Sequence, residues 1–397
     1  MATIQEAKID DTTLRDGLQM PGIRAPAPPQ RLKIATYLND IGVDRLELFG
    51  TWYDVDRKTA QLILDAGFKA RIAIWVRANK NDIDEALRLN GIKEVGISHP
   101  VSDIHLQNKL MITREEAFDR VTGAVKYATE HGLRVFYHGE DSTRSDMEYE
   151  KRIIQGVIEA GAEVYRICDT VGAGISAHHT AEIDLNKSIP DKTYMFSQNF
   201  KIGLEFHGHD DLGNAVTNSL TSLNNGAEWV STTMLGVGER SGNAETEKLI
   251  MNLYHHYGVK RFDISLLTEC CVLLNKYLNI TIPKNKAIVG ENAFTHQSGI
   301  HSDGVIKHPE TYELFPPESV GNTRRLLIGS YSGKKIILFK LKQVLLEENS
   351  LEQFDENDGR VIAIIDYIQK NLFGSGVRHS PLTDEEFKEL VRRFALI

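Results

Sequence analysis

The chain has 397 residues, 41% of them hydrophobic and 25% charged, and carries a formal net charge of −9 at pH 7. That acidic surplus argues against nucleic acid or an anionic membrane as the main partner. No apolar run approaches the ~20 residues that a membrane helix needs, and Met1 to Lys8 form no apolar signal segment, so a cytoplasmic protein is expected.

From residue 8 to about 260, short apolar runs alternate with amphipathic stretches. The predicted strands are Lys8–Thr13, Arg45–Phe49, Arg71–Val76, Glu94–Ser98, Arg134–Tyr137, Val164–Cys168, Gly203–Phe206 and Trp229–Met234. The segments between them read as helices. One opens at Thr113, where Thr-Arg-Glu-Glu forms a capping box to Glu116, and continues with Phe118, Val121, Ala124, Val125 and Ala128 on one face. Gly42, Gly67, Gly132, Gly161 and Gly226 close helices ahead of the next strand. Eight strand–helix units over roughly 250 residues predict a (β/α)8 TIM barrel. An open doubly wound sheet is the runner-up, but no Gly-x-Gly-x-x-Gly follows the first strand. After about residue 258 the alternation stops. Ile264 to Leu278 reads as one helix, residues 281–290 as a Pro/Lys-rich connector, and the region from Leu338 onward as mainly helical, its last helix capped at Thr383. The expected organisation is a catalytic barrel over 1–260, a linker helix and lid over 261–335, and a helical C-terminal region over 336–397. The stripe Phe387, Leu390, Val391 and Phe394 suits packing or a subunit contact. Three cysteines (Cys168, Cys270, Cys271) form no Cys-x-x-Cys pair, so neither a disulfide framework nor a thiolate zinc site is indicated.

The strongest chemical statement lies in residues 203–214, Gly-Leu-Glu-Phe-His-Gly-His-Asp-Asp-Leu-Gly-Asn. His207 and His209, two apart at a strand end, share one face. Two imidazoles there suit a divalent cation of the Zn, Mn or Fe type, or serve as hydrogen-bonded structural histidines. Barrel closure makes strands 7, 8 and 1 neighbours and brings Asp16 and Asn243 to the same mouth. There they complete a ligand set with the two histidines, or act as a helix N-cap and a turn residue. The other strand ends carry Glu47, Arg77, His99, His138, Glu140, Arg144, Asp169 and Thr170. A ring of charge is costly to leave unpaired, so Glu47 and Asp169 suit a structural network as well as they suit function, whereas Arg15, Glu140 and Thr170 fall deeper in the mouth. His301 and Tyr312, with a glycine-flexed turn, have the character of a lid.

These motifs run in order along the chain: Asp-Thr-Thr-Leu-Arg-Asp-Gly (11–17), Glu-Asp-Ser-Thr-Arg (140–144), Asp-Thr-Val-Gly (169–172), His-Gly-His-Asp-Asp-Leu-Gly (207–213), Gly-Glu-Arg-Ser-Gly-Asn (238–243) and Thr-His-Gln-Ser-Gly-Ile-His (295–301). The set resembles the alkylmalate synthases (homocitrate, isopropylmalate and citramalate synthases) of the metal-dependent pyruvate-carboxylase-like barrel superfamily. The resemblance implies a Claisen condensation of acetyl-CoA with a 2-oxo acid, followed by thioester hydrolysis to a 2-substituted malate. It implies a divalent metal (Mg, Mn or Zn) on Asp16, His207, His209 and Asn243, and Arg15 at the forming alkoxide. Thr170 would hold the substrate carboxylate, with Gln19, Arg77, His138 and Arg144 among the substrate-binding groups. Glu140 or His301 would be the base and Tyr312 would order the lid. A homodimer is implied, the segment after residue 260 reaching across to the partner.

Departures bear on the oxo acid. Leu18 and Asp210 replace the family's usual residues, Phe49-Gly-Thr-Trp-Tyr53 replaces a small-residue segment, and His138 stands where serine is common. Arg77-Ala-Asn79 lacks the Arg-x-His that homocitrate synthases carry, so a second anionic group would be met by His138, His99 or Arg77. Leucine feedback through the C-terminal domain of isopropylmalate synthases is not expected in these 397 residues. Two alternatives stand beside this reading. One is a retro-Claisen lyase of the 3-hydroxy-3-methylglutaryl type, against which the loop after strand 8 offers no cysteine. The other is a non-catalytic binding barrel.

Overall fold

The computed structural model describes residues 4–50, 52–349, 354–355 and 357–396. The chain divides into two compact units, residues 1–282 and 283–397.

The first unit is a closed barrel of eight parallel strands in sequence order. They are β1 (Lys8–Asp11), β2 (Arg45–Leu48), β3 (Arg71–Arg77), β4 (Glu94–Pro100), β5 (Arg134–Glu140), β6 (Val164–Asp169), β7 (Gly203–Gly208) and β8 (Trp229–Thr232). β8 returns to β1 with Lys8 opposite Trp229 and Asp11 opposite Thr232. Every predicted strand is present, but the ends differ. β4 and β5 run on through polar residues because the ladder continues there, His99 opposite Gly139 and Pro100 opposite Glu140. β1 stops at Asp11, whose Oδ1 accepts from the Thr13 amide at 2.9 Å and turns the chain.

Helices cover the outside. Pro28–Ile41 buries Ile34, Ala35, Leu38 and Ile41. Arg114–Glu130 buries Ala117, Val121, Ala124, Val125 and Ala128, and Thr113 and Glu116 cap it reciprocally. Residues 264–278, expected as one helix, form a 3-10 turn (Ile264–Leu266) and then an α-helix (Leu267–Leu278). All three cysteines are buried and form no disulfide with one another.

Inside the barrel the lower layers are ionic. Asp10, Arg45, Glu47, Arg166 and Glu205 are each 1% exposed or less. Arg166 pairs with Glu47 and with Glu205, both at 2.7 Å, and also with Asp10. Arg45 pairs with Glu94 at 3.0 Å and with Glu205, and stacks on Phe136 with its guanidinium 3.7 Å from the ring centre. Arg15 also pairs with Glu47, and Arg71 and Arg134 with Glu94. Burial, opposed by Arg45 and Arg166, pushes the Asp10 carboxyl well above its usual value.

The second unit has its own core of Leu326, Ile328, Ile336, Ile337, Leu341, Val361, Ile364, Phe387 and Val391. A short parallel pair (Thr295–His296 with Arg325–Leu326) accompanies the helices Gly299–Lys307, Lys334–Glu347, Gly359–Asp366 and Asp384–Arg393. Thr383 and Glu386 form the expected capping box. Among the described residues, no helix is long and apolar enough to cross a membrane.

Candidate metal centre and barrel mouth

The C-terminal strand ends place one cluster of metal-ligand atoms at the mouth. One ligand atom each from Asp16, His207 and His209 lie within 4.8 Å of one another, and all three residues are buried. His207 belongs to β7, and His209 follows it directly. Their rings stand almost perpendicular (86°) with centroids 5.0 Å apart. The Nδ1 of His209 lies 3.1 Å from the Gly242 carbonyl oxygen. A carbonyl only accepts, so Nδ1 carries the proton and Nε2 presents its lone pair. The Nδ1 of His207 is 2.9 Å from the Ser231 hydroxyl of β8, a partner that fixes the ring's orientation. Burial, reinforced by His209, holds His207 well below its ordinary pKa and therefore neutral, the form that ligates.

Asp16 opens a 3-10 turn (Asp16–Gln19), yet its side chain does not cap that turn. Oδ2 accepts from Arg15 Nη1 at 2.7 Å and Oδ1 from Asn243 Nδ2 at 2.9 Å. Burial alone would raise this carboxyl, but Arg15 and the hydrogen bond from Asn243 hold it below its usual range. Asn243 Nδ2 also donates to the Val237 carbonyl at 3.1 Å. Two acceptors on one nitrogen fix the amide's orientation and leave Asn243 Oδ1 buried without a hydrogen-bond partner. Two imidazoles, a carboxylate and an orphaned amide oxygen fit a divalent cation. The loop after β8 that supplies Asn243 needs glycine. Gly242 (φ +86°) has no room for a Cβ against the Gly236 carbonyl, nor has Gly238 against Asn243 and Asp16.

Behind the cluster Arg15, 6% exposed, donates from Nε to Glu47 at 2.6 Å, and Glu47 in turn receives Arg166. Burial would raise the Glu47 carboxyl, but Arg15 and Arg166 hold it well below its ordinary value.

A cavity of about 970 Å³ fills the mouth; its lining includes Arg15, Asp16, Gln19, Thr170, His207 and His209. The other expected substrate groups are distributed unevenly. Arg77 lines the cavity but is held in a bidentate pair with Asp82, at 2.8 and 2.9 Å. His138 lines it too, and burial with Arg166 pushes its pKa well down, so it meets a ligand as a neutral ring and supplies no charge to a second anionic group. Thr170 accepts from the Asp141 amide at 2.8 Å. Arg144 donates to Asp141 at 2.8 Å and does not line the cavity. Asp169 accepts from Thr143, Ala173 and Gly174, holding the turn after β6. Glu140 lines the cavity between Lys109 Nζ (2.6 Å) and His105 Nδ1 (3.1 Å). Burial would raise its carboxyl; the hydrogen bonds from His105 and Lys109 keep it below the ordinary value. His301 and Tyr312 belong to the second unit, where their ring centroids are 4.3 Å apart.

Sequence reasoning missed Ser231, His105 and Lys109. No motif marks them; the register of β8 beside β7 was the only signal for Ser231, and nothing in the loop after β4 pointed to the other two.

Comparison with known proteins agrees with this geometry. The family model described as "HMGL-like" matches residues 6–271, and "Homocitrate synthase post-HMGL domain-like" matches residues 288–365. The chain is 36% identical over 389 residues to "Homocitrate synthase AksA" of Methanopyrus kandleri, spanning 98% of this chain and 92% of that protein. It is 38% identical over 364 residues to "2-isopropylmalate synthase" of Methanocaldococcus jannaschii, spanning 90% of this chain and 68% of that one. The crystal structure of Bacillus subtilis HMG-CoA lyase superposes with a TM-score of 0.60 at 18% identity, over 71% of this chain and 97% of the lyase, a likeness of fold.

Proposed function

The chain belongs to the HMGL-like family and carries that family's homocitrate-synthase-type second domain, and on that premise we propose that it is an acetyl-CoA-dependent alkylmalate synthase. Relatives that it matches over most of its length are named as homocitrate and isopropylmalate synthases. The reaction joins the methyl carbon of acetyl-CoA to the keto carbon of a 2-oxo acid, and water then cleaves the thioester to release CoA.

The observation that carries the reading is the meeting of Asp16, His207, His209 and the orphaned Asn243 Oδ1 with Arg15 hydrogen-bonded to the same carboxylate. A divalent cation held by these four residues would polarise the keto group as a Lewis acid. The chain's own residues do the rest. Arg15, fixed by Glu47 and Asp16, places a guanidinium where negative charge develops on the former keto oxygen. The Thr170 hydroxyl is positioned for the oxo-acid carboxylate. Glu140 is ionised at neutral pH and so is in the state that accepts the acetyl methyl proton; Lys109 and His105 orient it at the cost of some basicity. His301 and Tyr312, carried over from the resemblance, are proposed as proton-transfer and lid groups, and the functional form is proposed to be a homodimer. The aromatic cluster of Phe49, Trp52 and Trp75 (centroids 5.1 to 5.9 Å apart) gives the cavity an apolar wall on the β2–β3 side.

The test is thiol release from acetyl-CoA with Mg or Mn and a panel of pyruvate, 2-oxoisovalerate, 2-oxoglutarate, oxaloacetate, phenylpyruvate and phosphonopyruvate. Release that requires an oxo acid is expected. Release of acetyl-CoA from a 3-hydroxy-3-methylglutaryl thioester, with silence across the panel, would place the chain on the lyase side.

A further inference from the structure

The cavity does not end at the barrel mouth. It continues over the end of β4 to the outer helix Arg114–Glu130, where Asp119, Arg120, Gly123 and Ala124 line it. On β4, Gly96 faces the barrel interior, since a Cβ there would strike Phe136 and His138. Alternation then turns His99 outward, toward this helix. His99 is 5% exposed; its Nδ1 donates to the Pro100 carbonyl at 3.0 Å, and its Nε2 is buried without a partner. A buried acceptor of this kind is expensive to leave unmet.

Gly123 sits mid-helix with ordinary helical backbone, where glycine costs roughly 1 kcal/mol relative to alanine. Packing does not require it, because a Cβ at Gly123 would touch nothing within 4 Å. What its absence provides is open volume at the exposed outer rim of the cavity. Arg120, also at this wall, is exposed and makes no hydrogen bond or ion pair among the described residues; its neighbour Glu116 is engaged in the cap with Thr113. Lys80 lies at the same side of the cavity, its ammonium 5.1 Å from the centre of the Tyr127 ring.

We propose that this side chamber, formed by His99, Arg120, Gly123 and Lys80, is the subsite for the phosphorylated nucleotide end of acetyl-CoA. The assignment rests on the synthase reading. The metal-ligand cluster belongs to β1 and β7, across the mouth from β4. Eight strands about 4.8 Å apart and tilted about 36° close at a diameter of about 15 Å. A six-carbon oxo acid, about 7 Å long, does not span that distance, whereas an extended pantetheine arm, equivalent to four or five residues, reaches about 15 Å. Arg120 and Lys80 meet the phosphates, and His99 Nε2 accepts from an amide N–H of the arm. The competing source of the same anionic chemistry is a phosphonate or carboxylate at the far end of the oxo acid.

The experiment compares the full-length metal-loaded enzyme with Arg120→Glu and Gly123→Leu. The KM for acetyl-CoA is expected to rise at least tenfold in each, the KM for the oxo acid to stay within twofold, and the preference for acetyl-CoA over S-acetyl-N-acetylcysteamine to fall by the same factor. Gly123→Leu should melt no lower than the parent, since the helix gains propensity. A rise in the oxo-acid KM instead, or no change in either, overturns the assignment. Calorimetry with adenosine 3′,5′-bisphosphate separates the two readings without turnover. Binding that Arg120→Glu weakens at least tenfold supports the subsite even if no oxo acid is consumed, in which case the synthase reading alone falls. Equal binding by both proteins, or none by the parent, refutes the subsite whatever the reaction.

Discussion

At the residue scale, the centre depends on side chains whose protonation and orientation are fixed by their neighbours. His207 is neutral because it is buried, and the His209 tautomer follows from a backbone carbonyl. Asp16→Ala or His207→Ala is therefore expected to abolish turnover and Mn binding by calorimetry; near-parental activity in both variants would contradict the assignment. Glu140 supplies a pH prediction. Its carboxyl is held low by His105 and Lys109 against the effect of burial, so removing a cation raises its pKa. In Lys109→Met the acidic limb of the kcat profile should move to higher pH, because the base then protonates sooner on acidification. An unmoved limb would remove Glu140 from the role of base. The His-x-His pair was legible in the sequence as a shared face. The free Oδ1 of Asn243 was not, since it depends on which two acceptors its nitrogen finds in the fold.

At the element scale, the loop after β8 is the least tolerant part of the centre. Gly238 is pressed against Asn243 and Asp16, so Gly238→Ala must displace the hydrogen bond that joins them. A fall of at least tenfold in Mn affinity is expected, with the circular dichroism of the barrel retained; parental affinity would show that the loop relaxes freely. The strands were readable because each is a short apolar run closed by turn residues and glycine-ended helices. Their ends were not, as β4, β5 and β7 continue through His99, Glu140 and Gly208 under the control of neighbouring strands rather than of local pattern. The ionic interior was only half visible. Glu47 was seen as a salt-bridge candidate, but its partners Arg15 and Arg166 lie 32 and 119 residues away in sequence.

At the scale of the whole molecule, the barrel exists only if β8 closes on β1, and that seam is polar. The Thr12 amide donates to the Thr232 carbonyl, the Met234 amide to Thr13 Oγ1, and Thr246 Oγ1 to Asp11 Oδ2, each at 2.8 Å. Asp11 accepts at this seam while 1% exposed, and burial raises its carboxyl from 3.8 to about 6. A carboxyl raised on folding contributes stability that is present below its unfolded pKa and lost as pH climbs through the folded value, here about 3 kcal/mol between about pH 4 and pH 7. Asp11→Asn keeps the shape without the titration. Its melting temperature should therefore gain on the parent as pH rises from 4 to 7; a constant gap would mean that Asp11 does not titrate in that range. The barrel's closure also brings into register the Asp-Thr-Thr-Leu-Arg-Asp-Gly and His-Gly-His segments, which is why the family resemblance and the geometry converge on one mouth. The oxo acid was not legible, because His138 and Trp52 acquire their character from Arg166 and Trp75, 28 and 23 residues away, and no motif marks the pairing of Arg77 with Asp82 five residues on.

The most direct measurement is carbon NMR of the reaction of methyl-labelled acetyl-CoA with the 2-oxo acid panel, in the presence of Mn or Mg and again after chelation. A new carbon–carbon bond is expected, seen as the methyl signal becoming a methylene of a 2-substituted malate with one oxo acid, together with its loss on chelation. Label remaining in acetyl-CoA or appearing only as free acetate with every oxo acid, while metal is demonstrably bound, would contradict the synthase reading.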